Sequence, residues 1–337
     1  MVGEPTKPAG ARGSGSTRSR LSLSFCRLRT QRSPVTAREP PALGCKELTS
    51  RLLHTVSVRF GLFLPPFAEF AEPARVMELA RTAEAAGWDG LFLWDHMLAG
   101  PGVAVADPWI TMAAIATATT TLTFGALVTP LARRRPWVLA RQLATLDRLS
   151  SGRLVAGIGL GDDGWSEFSS FGEVVDPVAR GEILDEALEL LHKLLSGDPV
   201  HHSGDHYQVE TTALLPTPLQ VPLPIWGACR WPNRKPLARA AKLQGCFPIF
   251  PGAGPPPPPD ASDVAALRTA LTGLGAASDI DIVIRYALSL QDPASAARTL
   301  TELEEVSATW ILDSFGPGEP PAAVVEAIVR KGPPRGR

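Results

Sequence analysis

Asp95 and His96 stand side by side at the end of an apolar run, Gly90-Leu-Phe-Leu-Trp94. Histidine is the side-chain type whose ordinary pKa lies near neutrality, so an imidazole delivered to a strand end is suited to giving or taking a proton. The neighbouring Asp95 carboxylate would orient or tune that ring. Two readings stay open here: the pair handles a proton for a bound ligand, or it caps the strand exit. The series Gly157-Ile-Gly-Leu-Gly161 is followed by Asp162-Asp163. It lacks the G-x-G-x-x-G spacing of a dinucleotide turn and leads into no helix, so its expected use is to let a flat ring approach a strand end closely. Trp226-Gly-Ala-Cys-Arg-Trp-Pro-Asn-Arg-Lys235 reads as a strand end leading into a helix start. Its backbone N–H groups, with Arg230, Arg234 or Lys235, either hold a phosphate or form a solvated basic helix start. Arg133-Arg134-Arg135 reads as a solvated turn, and His201, His202 and His206 lack the carboxylate–His spacing of a metal site. There is no serine nucleophile elbow, P-loop or H-E-x-x-H motif, so nothing supports hydrolysis.

The elements that must position these residues alternate regularly. Val58–Leu64 reads as a strand stopped by Pro65-Pro66, and Ala74–Ala86 as a helix ending at Gly87. Gly90–Trp94 is the second strand, and Asp107-Pro108 opens a helix running to Ala118, with Asp107 as cap. The strands expected next are Leu122–Val128, Arg153–Ile158, Leu223–Trp226, Phe247–Phe250, Ile280–Leu288 and Thr309–Leu312. The helices between and after them are Pro136–Leu149, Ala179–Leu195, Lys235–Leu243, Ser262–Leu274, Ser295–Glu305 and Ala322–Arg330. Such unbroken strand–helix alternation predicts an α/β fold, a parallel sheet closed into a (β/α)8 TIM barrel. An open doubly wound sheet usually carries a glycine-rich turn after its first strand, where this chain has Leu64-Pro65-Pro66-Phe67. A barrel's active face is built from the C-terminal strand ends. That face receives Asp95, His96, Val128, Gly159, Gly161, Asp162, Gly227, Ala228, Cys229, Phe250 and Asp313. The polar loop Asp162–Val178 and the stretch Pro199–Pro222, with a hairpin around Val200–Tyr207, interrupt the repeat. Pro255–Pro259 reads as an extended spacer without chemistry.

Residues 1–50 hold nine Lys/Arg and three Asp/Glu, a charge of +6 that leaves −7 for the rest of a chain whose total is −1. Rich in Ser, Pro, Gly and Arg without a sustained apolar period, 1–55 reads as a disordered basic extension to a barrel domain at 56–337. Leu21–Phe25 is too short and serine-interrupted for a secretory signal. A transit peptide fits the Arg/Ser richness, and a dispensable tail or a working start at Val56 or Val58 is the preferred expectation. Near-neutral total charge gives no case for nucleic acid, and no apolar run reaches the roughly 18 residues a membrane helix needs. Cys26, Cys45, Cys229 and Cys246 form no C-x-x-C pair, which points to unpaired thiols in a reducing cytoplasm.

From Val58 to Arg335 the chain resembles the luciferase-like flavin monooxygenase superfamily. The likeness is carried by Ala85-Ala-Gly-Trp-Asp-Gly-Leu-Phe-Leu-Trp-Asp95-His96 and by Phe124-Gly-Ala-Leu-Val-Thr-Pro-Leu131. Its most specific stretch runs from Arg141-Gln-Leu-Ala-Thr-Leu-Asp147 through Gly161. Arg180–Glu186 with Gly204-Asp-His-Tyr207, Thr309-Trp-Ile-Leu-Asp313 and Gly332-Pro-Pro-Arg335 complete it. The resemblance implies a barrel that binds FMN or the 8-hydroxy-5-deazaflavin coenzyme F420 at its strand ends. Asp95 and His96 would line that site, and a non-prolyl cis peptide at Ala126-Leu127, with Val128 following, would back the ring. Gly159, Gly161 and Asp162 after the fourth strand, and Gly227-Ala228 after the fifth, would meet the ring and phosphate. Two departures stand out: Gln244-Gly245-Cys246-Phe247 replaces the usual Asp-Gly-Trp, and Gly227-Ala228 replaces a Gly-Gly pair. The implied activity is monooxygenation or hydride transfer on a small organic substrate. With FMN, reduced cofactor would come from a separate reductase. Family members are often dimers, which allows a homodimer here without locating its interface. Two other classes remain: a barrel that binds a cofactor or metabolite without turnover, and a phosphate-substrate barrel isomerase or lyase.

Overall fold

The computed structural model describes residues 58–250 and 259–335. The reading of 1–55 as a disordered extension, and that of Pro255–Pro259 as a spacer in all but its last residue, lie outside the described residues. In chain order the elements are β1 (Arg59–Leu64), α1 (Pro73–Ala85), β2 (Gly90–Leu93), α2 (Pro108–Ala118), β3 (Thr123–Ala126), β4 (Thr129–Pro130), α3 (Pro136–Leu149) and β5 (Ala156–Gly159). There follow α4 (Pro177–Leu195), β6 (Val200–Ser203), β7 (Gln208–Thr211), β8 (Ile225–Arg230), α5 (Arg234–Ala240), β9 (Gly245–Ile249), α6 (Ala261–Gly273), β10 (Asp281–Tyr286), α7 (Pro293–Glu305), β11 (Trp310–Ser314) and α8 (Ala322–Lys331).

Nine parallel segments pair in the order β3-β2-β1-β11-β10-β9-β8-β5-β4. The two ends of that order, β3 and β4, are halves of one interrupted strand. Phe124 N donates to Arg153 O at 3.2 Å and Val155 N to Phe124 O at 2.9 Å, joining that strand to the chain entering β5. The sheet therefore curls round on itself, as the alternation predicts. The break falls at a cis peptide between Leu127 and Val128. The expected place was one bond earlier, and the single strand Leu122–Val128 is corrected to two pieces. β6 and β7 form the expected hairpin, paired antiparallel with Val200 opposite Thr211. β8 runs four residues beyond the expected Trp226, because Ala228, Cys229 and Arg230 keep register with Phe247, Pro248 and Ile249 of β9.

Alternation along the strands divides the apolar residues into two cores. Phe60, Leu62 and Leu64 of β1 face the helices, whereas Phe63 faces inward with Phe92, Trp226, Phe247, Trp310 and Leu312. Phe92, Trp226 and Trp310 interlock with ring centroids 5.2–5.5 Å apart, so the barrel interior is filled below its rim. Helix starts follow local chemistry: Asp107 accepts from Ile110 N at 2.8 Å, Asp176 from Ala179 N at 2.7 Å, and Asp260 with Asp263 forms a capping box. The family-like stretch Asp147–Arg153 is structural. Buried Asp147 accepts from Leu219 N, Gln220 N and Gln220 Nε2 at 2.7–3.0 Å, and Arg153 donates to the carbonyls of Ala116, Thr119 and Leu122 at 2.8–2.9 Å. Glu186 likewise ties the hairpin to α4, accepting from His202 Nε2, His206 N and Tyr207 N at 2.8–3.0 Å.

Candidate active site

A cavity of about 450 Å³ opens at the C-terminal strand ends, bordered by Phe63, Leu127, Val128, Ala228 and Phe247 as apolar walls. That volume lies in the range of small-molecule sites. Of the residues expected there, Asp95, His96, Leu127, Val128, Gly161, Asp162 and Ala228 border it. Ala126, Gly159 and Gly227 are not among its lining residues. Ala126 ends β3 with its carbonyl against Gly157, where a Cβ would lie 2.2 Å from the oxygen. A Cβ on Gly159 would sit 2.4 Å from Val128 Cγ2, so this glycine lets the cis segment lie on β5. Gly227 turns toward α5: a Cβ there would be 3.0 Å from Ala240 Cα, and the residue serves strand–helix packing.

His96 is fixed from several sides. Its Nδ1 lies 2.5 Å from Glu167 Oε2, and its ring meets Trp165, Phe67 and Trp94 at centroid distances of 4.8, 5.7 and 5.9 Å. Glu167 Oε1 accepts from Met97 N, from Leu98 N at 3.3 Å and from Arg133 Nη1 at 3.3 Å. Burial pushes the Glu167 carboxyl upward, but the His96 ring, the Met97 N–H and the Arg133 guanidinium outweigh it and hold the group below the usual carboxylate range. An ionised carboxylate only accepts, so Nδ1 carries the proton and Nε2 is the nitrogen left for the cavity.

The expectation that Asp95 orients His96 is overturned by this geometry. The Asp95 carboxylate accepts from Arg134 Nη2 at 2.8 and 2.9 Å, Arg133 Nη2 at 3.2 Å and Trp109 Nε1 at 3.1 Å. Three donor groups making four contacts occupy both of its oxygens, which makes it an anchor for the strand exit. Arg133 and Arg134 are correspondingly not a solvated turn: their side chains are 6% and 20% exposed.

Glu167 belongs to the loop after β5, and its position is set by Phe168. That ring is buried below Gly161, whose φ of +76° suits glycine, and a Cβ on Gly161 would meet Phe168 Cζ at 2.8 Å. Arg180 stacks 4.4 Å over Phe168, and Asp163 Oδ1 accepts from Phe168 N at 2.7 Å. No spacing in the sequence marks Glu167; only a polar loop after the fourth barrel strand does. Of the residues expected to cradle a phosphate, Arg230 and Lys235 border the cavity, whereas Arg234 does not. Arg230 is paired with Asp162 at 3.0 Å. Among the described residues, no helix is long and apolar enough to cross a membrane.

The comparisons bear on the fold and the family. Residues 58–324 match the family model described as luciferase-like monooxygenase. The chain is 30% identical over 192 residues to an F420-dependent glucose-6-phosphate dehydrogenase of Nakamurella multipartita, covering 54% of this chain and 53% of that protein. It is 29% identical over 219 residues to a 4-hydroxyprotoasukamycin monooxygenase of Streptomyces nodosus subsp. asukaensis, covering 62% of this chain and 57% of that one. The matches thus span little more than half the length of either relative. Among solved structures, an F420-dependent secondary alcohol dehydrogenase bound to an F420–acetone adduct superposes with a TM-score of 0.66 at 17% identity, over 81% of this chain and 97% of that one. A long-chain alkane monooxygenase gives 0.65 at 16% identity, over 80% and 89%. These likenesses show the same fold. The barrel, the cleft at its carboxyl rim and the match over 58–324 together place this chain in the luciferase-like monooxygenase family.

Proposed function

We propose that this chain is an oxidoreductase that holds FMN or the deazaflavin coenzyme in the rim cavity and acts on a small organic substrate. The observation that carries this reading is His96, clamped at Nδ1 by Glu167 on the border of the rim cavity, which leaves Nε2 free of that clamp. A flat ring system fits the residues present: Phe63, Leu127, Val128, Ala228 and Phe247 supply apolar walls. When bound, a deazaflavin supplies hydride transfer and a reduced flavin supplies oxygen chemistry; the protein orients and shields it. Leu127 and Val128 would lie against the ring, while Trp165 and Phe67 pack on His96. Nε2 gives or takes the proton at the reacting substrate oxygen or nitrogen, and Glu167 keeps the ring in the tautomer that allows it. With FMN, a separate reductase would deliver the reduced form.

Spectral titration with both cofactors, oxidised and reduced, tests the reading. Saturable binding of one of them, with turnover lost in His96→Ala, is the expected result. Binding with no redox change in any substrate screen, and with His96→Ala harmless, would assign a binding module instead. Indifference to both cofactors together with affinity for sugar phosphates would assign an isomerase or lyase.

A further inference from the structure

Arg285 lies on β10 and borders the same cavity as His96. Its guanidinium carbon stands 6.0 Å from the Phe63 ring centroid and 5.8 Å from that of Phe247. The other guanidiniums at the cavity have counter-ions: Arg230 pairs with Asp162 at 3.0 Å, and Arg239 with Asp185 at 2.6 Å. Arg285 has neither an ion pair nor a hydrogen bond to any described residue. Glu182, the remaining acid at the cavity mouth, is exposed and makes no ion pair with it. Burial without compensation pushes the Arg285 guanidinium down from its ordinary value.

An arginine beside aromatic rings, whose planar fork of donors meets no acceptor among the described residues, is a receptor for a planar or tetrahedral anion. We infer that Arg285 reads a negatively charged group of the substrate, so that the substrate class is a small organic anion, a carboxylate or a phosphate ester. The inference rests on the proposed function only in assigning the cavity to catalysis. Phe63 links the two ends of the site: its ring lies 5.6 Å from Trp94, and Trp94 lies 5.9 Å from His96. An anionic tail on Arg285 therefore leaves the rest of a small molecule lying along the aromatic wall toward Nε2.

The test uses the full chain, first with its cofactor affinity measured, and takes benzoate, inorganic phosphate and the neutral benzamide as probes in calorimetric titrations. Saturable binding of benzoate or phosphate, with benzamide at least about tenfold weaker than benzoate if benzoate binds, is expected for a charge-assisted contact. Arg285→Gln should weaken the bound anion by about tenfold or more, and Arg285→Lys by less, because lysine keeps the charge but loses the fork. Cofactor affinity should change less than about twofold in both variants. Whichever anion binds tells carboxylate from phosphate. Failure of both anions to bind, equal binding of benzoate and benzamide, or anion binding unchanged in Arg285→Gln would overturn the inference. A large loss of cofactor affinity in Arg285→Gln would also overturn it, by assigning the guanidinium to the cofactor. Anion binding that persists in a protein indifferent to both flavins would sink the proposed function and leave this inference standing.

Discussion

His96 is held by Glu167, 71 residues further along the chain, at 2.5 Å, and not by the Asp95 beside it. The two acids divide the labour by environment. Glu167 offers one oxygen to the imidazole, whereas both oxygens of Asp95 are taken by Arg134, with Arg133 and Trp109 adding further donors.

His96→Ala should lower turnover by about 10²–10⁴-fold, the usual contribution of a positioned acid or base. Glu167→Gln should cost about a hundredfold while leaving cofactor affinity within about twofold, since it acts through the ring's tautomer and orientation. Proton NMR gives a check that needs no substrate. A strongly downfield imidazole N–H resonance should be present in the wild type and absent from both variants. Its survival in Glu167→Gln would refute the pairing.

Arg134→Met should destabilise the fold by about 3 kcal/mol, because it removes the main counter-ion of the buried Asp95. Asp95→Leu combined with Arg134→Met should recover part of that loss, giving a coupling above about 1 kcal/mol in a urea-unfolding double-mutant cycle. Additive losses would mean that the pair contributes nothing beyond its separate contacts.

Asp313 is 2% exposed, accepts from Ser289 N at 3.3 Å, and leaves Oδ2 without a partner among the described residues. Burial pushes its carboxyl up from 3.8 to about 6. A folded-state value above the unfolded one means that the native chain binds the proton more tightly, so stability falls as pH rises through about 4 to 6. Asp313→Asn should therefore stabilise the protein at pH 7.5 by roughly 1–3 kcal/mol and make little difference below about pH 4. A gain independent of pH would show that ionisation of Asp313 is not the cause.

Gly125→Ala should break the closure of the barrel. Its Cβ would lie 2.1 Å from Val155 O, a backbone atom that cannot step aside without disturbing the Phe124–Val155 ladder. A loss of about 3 kcal/mol or more, read as a fall of roughly 6–12 °C in Tm, is expected. Gly181→Ala, inside α4 with nothing within 4 Å of the added carbon, should instead raise stability by about 0.5–1 kcal/mol. Equal effects of the two substitutions would contradict the packing described.

The alternation of strand and helix was written locally in this chain. Runs such as Arg59–Leu64, buried on both faces, and starts such as Asp107-Pro108 act over a few residues, so they were legible without any tertiary contact, whereas the start at Asp292-Pro293 lies ahead of the expected Ser295. The presence of Asp95 and His96 at a strand exit followed from the same short-range pattern. What surrounds His96 did not. Glu167, Arg133 and Arg134 become its environment only because the sheet closes and brings the ends of β2, β4 and β5 to one rim. The cis bond at Leu127–Val128 and the outward turn of Gly227 were likewise decided by register against β5 and by the fit of α5. Period and capping are properties of neighbours in sequence, whereas burial and counter-ions belong to neighbours in space. Composition can say that a carboxylate exists, but only closure of the barrel decides which cation it meets.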